Sequence, residues 1–183
     1  WGSATKTLVW VSVMQQVELG KIDLAKDVRE YLPEGFLTNT NKSYDTPVTM
    51  LNLMNHTAGY QDLLVDLFIK EKDKKAIRPL GEQLKRREPV QVYEPGTITA
   101  YSNWGVALAG YIVECVSGQD FCEYVHENIF APLGMEHSAL AADLGDNSWV
   151  SERRRELQCY TADGALIPEC FYYISLYPAG MCT

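Results

Sequence analysis

The strongest constraint on this chain lies in residues 104–117. Trp104, Val106, Leu108, Ala109, Ile112, Val113 and Val116 read as a helix apolar on more than one face, and Gly118 supplies a stop. Such a helix has to be enclosed, so the remaining chain must wrap it. The length allows that. With 183 residues, 46% hydrophobic and 22% charged, the chain makes one domain or a domain and a half, and a chain of this size buries roughly 70% of its unfolded surface. Neither a disulfide nor a metal is required for stability.

Other elements follow from the same patterning. After Gly2 and Ser3 comes a long helical stretch, with Leu8, Val9, Val13, Met14 and Val17 facing a core and Gly20 ending it. A short segment over 23–32 is closed by Pro33, and 34–46 is polar loop. Residues 47–56 read as a short helix with Leu51 and Met54 inward, ended by Gly59. Residues 61–88 are the charged part, where Lys70, Lys72, Lys74, Lys75, Arg78, Lys85, Arg86 and Arg87 alternate with Glu71, Asp73, Glu82 and Glu88. That interleaving describes a solvated helical face. Residues 120–130 form another helix, stopped by Pro132 and Gly134. Strand signal is confined to 90–93 and 158–174. No repeat or low-complexity tract occurs.

Charge and cysteine content narrow the function classes. Sixteen basic against 24 acidic side chains give a net charge of −8, which opposes binding to a phosphate backbone. No apolar run reaches the roughly 18 residues that a membrane-crossing helix needs. The first residue, Trp1, opens no leader-like segment, and the end at Thr183 follows an aromatic stretch (Phe171, Tyr172, Tyr173, Tyr177), so the chain reads as an internal piece of a longer protein. Five cysteines (Cys115, Cys122, Cys159, Cys170, Cys182) form an odd set without a C-x-x-C pair, which argues against a disulfide framework and a structural zinc site. All five are expected to be buried as small hydrophobes.

Two short patterns carry chemistry. Ser3 and Lys6 are three residues apart, hence neighbours on one helix face. A hydroxyl at a first helical turn meets the positive end of the dipole and N–H groups able to hold an oxyanion. A lysine kept partly from water has its neutral form favoured and can take the hydroxyl proton. Tyr101 and Asn103, two residues apart, can project the same way from an extended segment. The phenol can shuttle a proton, and the amide can orient a carbonyl or the lysine. Each spacing alone is weak, since a capping serine and a turn-forming asparagine explain it equally well. His56, His126 and His137 lack the H-E-x-x-H spacing, Ser3 lacks a G-x-S-x-G frame, and no phosphate-binding glycine loop is present. His56 reads as a structural residue beside the turn at Thr57-Ala58-Gly59.

The order of motifs resembles a known family. Gly2-Ser3-Ala4-Thr5-Lys6 is followed by Leu19-Gly20-Lys21-Ile22-Asp23-Leu24, Tyr31-Leu32-Pro33 and Leu53-Met54-Asn55-His56-Thr57-Ala58-Gly59. Glu94-Pro95-Gly96, Tyr101-Ser102-Asn103, Ser117-Gly118 and Pro132-Leu133-Gly134-Met135 come next, with a fainter echo at Tyr177-Pro178-Ala179-Gly180. This series is similar to the serine β-lactamase-related hydrolases: class C β-lactamases, D,D-peptidases of penicillin-binding type and related esterases.

The resemblance implies that Ser3 is the acylated nucleophile, Lys6 its base partner, Tyr101 the proton-transferring tyrosine and Asn103 the substrate- and lysine-contacting amide. Lys6 and Tyr101 are left as alternatives for the base, or as a pair that titrates together. The parent fold implied is α+β, β-lactamase/transpeptidase-like. This segment, 1–183, is expected to be a predominantly α-helical partial domain with most of the sheet absent. Its expected parts are a nucleophile helix at about 3–19, a helical region at about 23–135 and an irregular, strand-containing tail at 136–183.

The implied activity is hydrolysis of amides, esters or β-lactams through a covalent acyl-enzyme, with a small-molecule or peptidoglycan-like acyl substrate and no metal or organic cofactor. The family's habit points to the cell envelope or exterior. The family's third motif, Lys-Thr-Gly or His-x-Gly, does not occur in these residues. The expectation is therefore that the 183-residue piece is inactive by itself, and a non-catalytic homologue that binds an acyl ligand is the alternative.

Overall fold

The structure, a computed structural model, describes residues 1–62, 64, 67–168 and 171–183. Its helices among the described residues are α1 (Lys6–Glu18), α2 (Met50–Met54), α3 (Leu80–Arg86), α4 (Asn103–Ser117), α5 (Phe121–Val125) and α6 (Ser148–Arg154). The strands are β1 (Phe68–Lys70), β2 (Cys159–Tyr160), β3 (Leu166–Ile167) and β4 (Tyr172–Ile174).

The enclosed helix is α4, as its composition requires. Ser102 Oγ accepts from the Gly105 amide at 3.0 Å and fixes the start. Gly118, with φ 76°, ends it in the left-handed conformation that favours glycine. Trp104, Val106, Leu108, Ile112 and Val113 are buried around it, joined by Phe121, Val125 and Leu140 from later elements.

α1 lies along α4 and continues a 3₁₀ turn over Gly2–Thr5. Leu8, Val9 and Val13 face inward as expected, whereas Met14 is 44% exposed. The face turned to the core contains Ser12 and Gln16 instead: Ser12 Oγ donates to Leu8 O at 2.8 Å and Gln16 Nε2 to Tyr124 Oη at 2.9 Å, while Gln16 Oε1 has no hydrogen-bond partner among the described residues. Trp10, Val11 and Met14 line an open groove on the opposite flank. Burial of polar residues has rotated the buried stripe away from the one that hydrophobicity alone selects.

Several further expectations need correction. α2 begins at Met50, because Thr49 and Asn52 cap each other reciprocally; this turns Met50 and Leu53 inward and leaves Leu51 exposed. The charged region is not one solvated helical face. Leu67 and Ile69 are buried, and β1 pairs antiparallel with β4, Phe68 opposite Ile174 and Lys70 opposite Tyr172. Among the described residues of this region, the 3₁₀ turn Glu71–Ala76 and the outer side of α3 fit the solvated description.

Residues 90–93 form no strand beyond a single bridge between Gln91 and Tyr60. There Gly59 (φ 80°) is obligatory, since a Cβ would stand 2.0 Å from Tyr93 O. β2 and β3 make a small hairpin within the predicted 158–174 window. α6 went unforeseen because it is one short helix with a single buried residue, Val150, too little for a periodic signal. Among the cysteines Cys122 and Cys182 are buried and free, but Cys115 is exposed and Cys159 is disulfide-bonded, its partner outside the described residues. An odd count does not exclude a bond.

Candidate active site

Residues almost a hundred positions apart meet at the start of α1. The Gly2–Thr5 turn carries Ser3 at the surface, and the first residue of α1, Lys6, points inward with 6% exposure. The segment entering α4 supplies Tyr101 and Asn103. Ser3 Oγ lies 2.7 Å from Tyr101 Oη, and Lys6 Nζ donates to Ser3 Oγ at 3.1 Å and to Asn103 Oδ1 at 2.9 Å. All four residues singled out in the sequence therefore form one cluster. A third Lys6 hydrogen bond runs to Ala179 O at 2.6 Å. An ammonium has three N–H donors, and all three are used.

The surroundings hold each part in place. Pro178 packs closely against α4, where a Cβ on Gly110 would stand 3.0 Å from the Pro178 Cβ. That close approach brings the Ala179 carbonyl to Lys6. Asn103 donates its backbone amide to Asp62 Oδ1 at 3.0 Å and its Nδ2 to Asp62 Oδ2 at 3.1 Å. With its NH₂ so engaged, the Asn103 amide presents its oxygen to Lys6.

His56 Nδ1 accepts from the Ser102 amide at 3.2 Å, and its ring rests on the Tyr101 ring with centroids 4.5 Å apart. Burial, assisted by the positive Lys6, holds the His56 pKa below its ordinary value. The neutral imidazole is the form that can accept that hydrogen bond. His56 is thus structural, as expected, but its partner is the segment carrying Tyr101 rather than its own turn.

Sequence reasoning missed Asp62 and the Ala179 carbonyl. A lone aspartate leaves no spacing signal and a backbone oxygen leaves none at all, although the echo at residues 177–180 marked the right segment. A cavity of about 590 Å³ lies elsewhere, lined by Lys70, Glu71, Asp143, Arg154 and Tyr173 among others, and touches none of the four residues. Ser3 faces an open surface instead.

This cluster, a hydroxyl hydrogen-bonded to both a lysine and a tyrosine at a helix start, sits in a fold shared with solved proteins. The D-amino acid amidase of Ochrobactrum anthropi SV3 superposes with a TM-score of 0.74 at 24% identity, over 99% of this chain and 50% of its own. A D-alanine carboxypeptidase from Burkholderia cenocepacia does so with a TM-score of 0.64 at 26% identity, over 99% of this chain and 44% of its own. The architecture is that of the β-lactamase/transpeptidase fold. The family described as Beta-lactamase matches residues 1–161, and the chain belongs to it. Among curated relatives, the monacolin J acid methylbutanoyltransferase of Aspergillus terreus (strain NIH 2624 / FGSC A1156) is 30% identical over 147 residues, covering 73% of this chain and 35% of that protein. The chain spans about a third of the length of the curated relatives it matches. No helix among the described residues is long and apolar enough to cross a membrane.

Proposed function

We propose that this chain carries the acylation centre of a serine acyl-transfer enzyme acting on amide, ester or β-lactam carbonyls. The observation that carries the reading is the position of Ser3 Oγ between Lys6 Nζ (3.1 Å) and Tyr101 Oη (2.7 Å). In the proposed reaction the Lys6–Tyr101 pair first gives up one proton to solvent, and the vacancy takes the Ser3 Oγ proton as that oxygen attacks the carbonyl carbon. The N–H groups at the start of the Gly2–Thr5 turn favour the oxyanion. As the tetrahedral species collapses, the bond to the leaving group breaks and that group takes the proton back from the pair. Water, or another hydroxyl or amine, then releases the acyl group by the reverse sequence and restores Ser3.

Lys6 supplies positive charge and orients Oγ, and Asn103 holds Lys6 on one side. Tyr101 lies on the exposed side, where the leaving group departs. The chemistry needs no metal or organic cofactor. A small-molecule acyl compound or a peptidoglycan-like peptide fits an open, surface-facing Ser3. Family habit places such an enzyme in the cell envelope or exterior.

The test is stopped-flow hydrolysis of a chromogenic ester by the full-length protein. A burst equal to the enzyme concentration, absent in Ser3→Ala, is expected. An unchanged burst in the variant overturns the assignment. Labelling without turnover identifies instead a non-catalytic acyl-binding homologue. For the 183-residue chain by itself, which lacks the family's third tripeptide, no steady turnover is proposed, and Ser3-dependent turnover by it contradicts that part.

A further inference from the structure

Away from Ser3, a second cluster of reactive side chains has no part in the proposed reaction. Cys122 lies on α5 and His126 follows four residues later, so both fall on one helix face. At His126 the helix widens into a π turn over His126–Phe130, a departure frequent at functional sites. Asp146 reaches them from the loop before α6. Its Oδ2 is 3.3 Å from Cys122 Sγ and 2.8 Å from His126 Nε2, and accepts from the Leu140 amide at 2.7 Å. Its Oδ1 is buried without a hydrogen-bond partner among the described residues. A buried carboxylate oxygen left in that state calls for a bound water or cation.

We propose that Cys122, His126 and Asp146 form a binding site for a divalent transition-metal ion, Zn²⁺ by preference. One atom from each residue lies within 4.8 Å of the other two. Zinc bonds of about 2.0–2.3 Å in tetrahedral array place ligand atoms about 3.3–3.6 Å apart, so the triangle closes on an ion with small shifts. A cleft of about 410 Å³, lined by His126, Glu136, Asp146 and Asn147 among others, adjoins the cluster and leaves room for a water as fourth ligand.

The ligand chemistry selects the ion. A thiolate and an imidazole favour zinc over magnesium or calcium. Thiolate and carboxylate together cancel two positive charges, and the imidazole binds neutral. Burial works to raise the Asp146 pKa, but hydrogen bonds from His126, the Leu140 amide, Cys122 and the Ala141 amide outweigh it and hold the pKa below the ordinary carboxylate value. Burial, with Asp146 alongside, pushes the Cys122 thiol well up, so its proton is present until a cation replaces it. Binding therefore releases the Cys122 proton to solvent, one per ion.

The absence of a C-x-x-C pair argued against zinc in the sequence. The ligands here come instead from a Cys-x₃-His helix face and a distant loop. Leu140 follows Ala139, which exchanges two backbone hydrogen bonds with Thr183 at 3.0 Å, and the Cys182 amide donates to Thr5 Oγ1 at 3.1 Å. An ion at Asp146 thus braces the edge against which the start of α1 rests.

The experiment titrates Co²⁺ into chelator-stripped full-length protein and follows the thiolate-to-cobalt charge-transfer band, with Zn²⁺ as competitor and Tm as second readout. One equivalent of Co²⁺ should bind with that band, Zn²⁺ should displace it, and Tm should rise with free Zn²⁺. Cys122→Ser and His126→Gln should each remove the band. His126 is partly exposed, so its variant keeps the core intact and remains informative if Cys122→Ser misfolds. Absence of binding, or a band that survives either substitution, overturns the proposal.

Discussion

Beyond Asn103, which meets Lys6 at its start, α4 buries apolar side chains, and Val106, Leu108, Ile112 and Val113 are wholly enclosed. Across the contact, α1 buries Leu8, Val9 and Val13 together with Lys6, Ser12 and Gln16. The two helices are neighbours of similar length built on different energetics. Each enclosed aliphatic side chain of α4 contributes roughly 1.5–3 kcal/mol by leaving water, whatever its orientation. A buried polar group lowers stability unless a partner meets it at the right distance, as Lys6 Nζ, Ser12 Oγ and Gln16 Nε2 each find one. Lys6 is the extreme case: its burial requires the oxygens of Ser3, Asn103 and Ala179 together. A helix stabilised by area tolerates small shifts, while a helix carrying a buried ammonium does not. That rigidity is what a reactive cluster needs.

The contrast can be broken or sharpened by substitution. The largest effect is expected at Tyr101. Tyr101→Phe removes one hydroxyl from Ser3 and should slow acyl transfer by about 10²–10⁴-fold, with an unchanged thermal melt because the exposed ring is kept. Near-normal turnover would reduce Tyr101 to a loop residue.

Next comes Leu108→Ala on α4. Truncating this enclosed leucine should cost about 2–5 kcal/mol in urea unfolding. A cost near zero would mean that α4 is not the centre of the core.

Glu114, at the far end of α4, tests the one acidic group in that apolar helix. Burial raises its pKa to about 7, although hydrogen bonds from the Phe121 amide and Tyr177 Oη oppose the shift. The unfolded chain releases this proton at about 4.5 and the folded chain at about 7. The unfolded state therefore binds fewer protons between those values, and stability falls as pH rises through that window. Glu114→Gln keeps an oxygen for both donors and should flatten the decline, giving a variant more stable than the parent at pH 8. Parallel pH profiles would contradict this. The smallest effect is expected at Met14, on the exposed flank of α1, where Met14→Ala should stay within about 0.5 kcal/mol.

α4 was legible because helical period, apolar composition and the Gly118 stop all agree. The Ser3, Lys6, Tyr101 and Asn103 set was legible through the order of its motifs, and the fold brings all four together. Contacts that depend on tertiary distance were not legible. Pairing of β1 with β4 joins residues about a hundred positions apart, and no local pattern in Phe68–Lys70 announces it. Asp62 acts through Asn103, and Ala179 through its backbone. The outward turn of Met14 accompanies the burial of Ser12, which bonds back to Leu8 within α1, and of Gln16, whose partner Tyr124 lies on α5.

The central claim is that Ser3 is acylated with Lys6 and Tyr101 handling its proton. Peptide mapping by mass spectrometry of the full-length protein, quenched during turnover of a slow β-lactam or ester, addresses it most directly. The account predicts an acyl adduct on the peptide containing Ser3, localised to that hydroxyl and missing from Ser3→Ala. An adduct on any other residue, or equal adduct formation by Ser3→Ala, would contradict it.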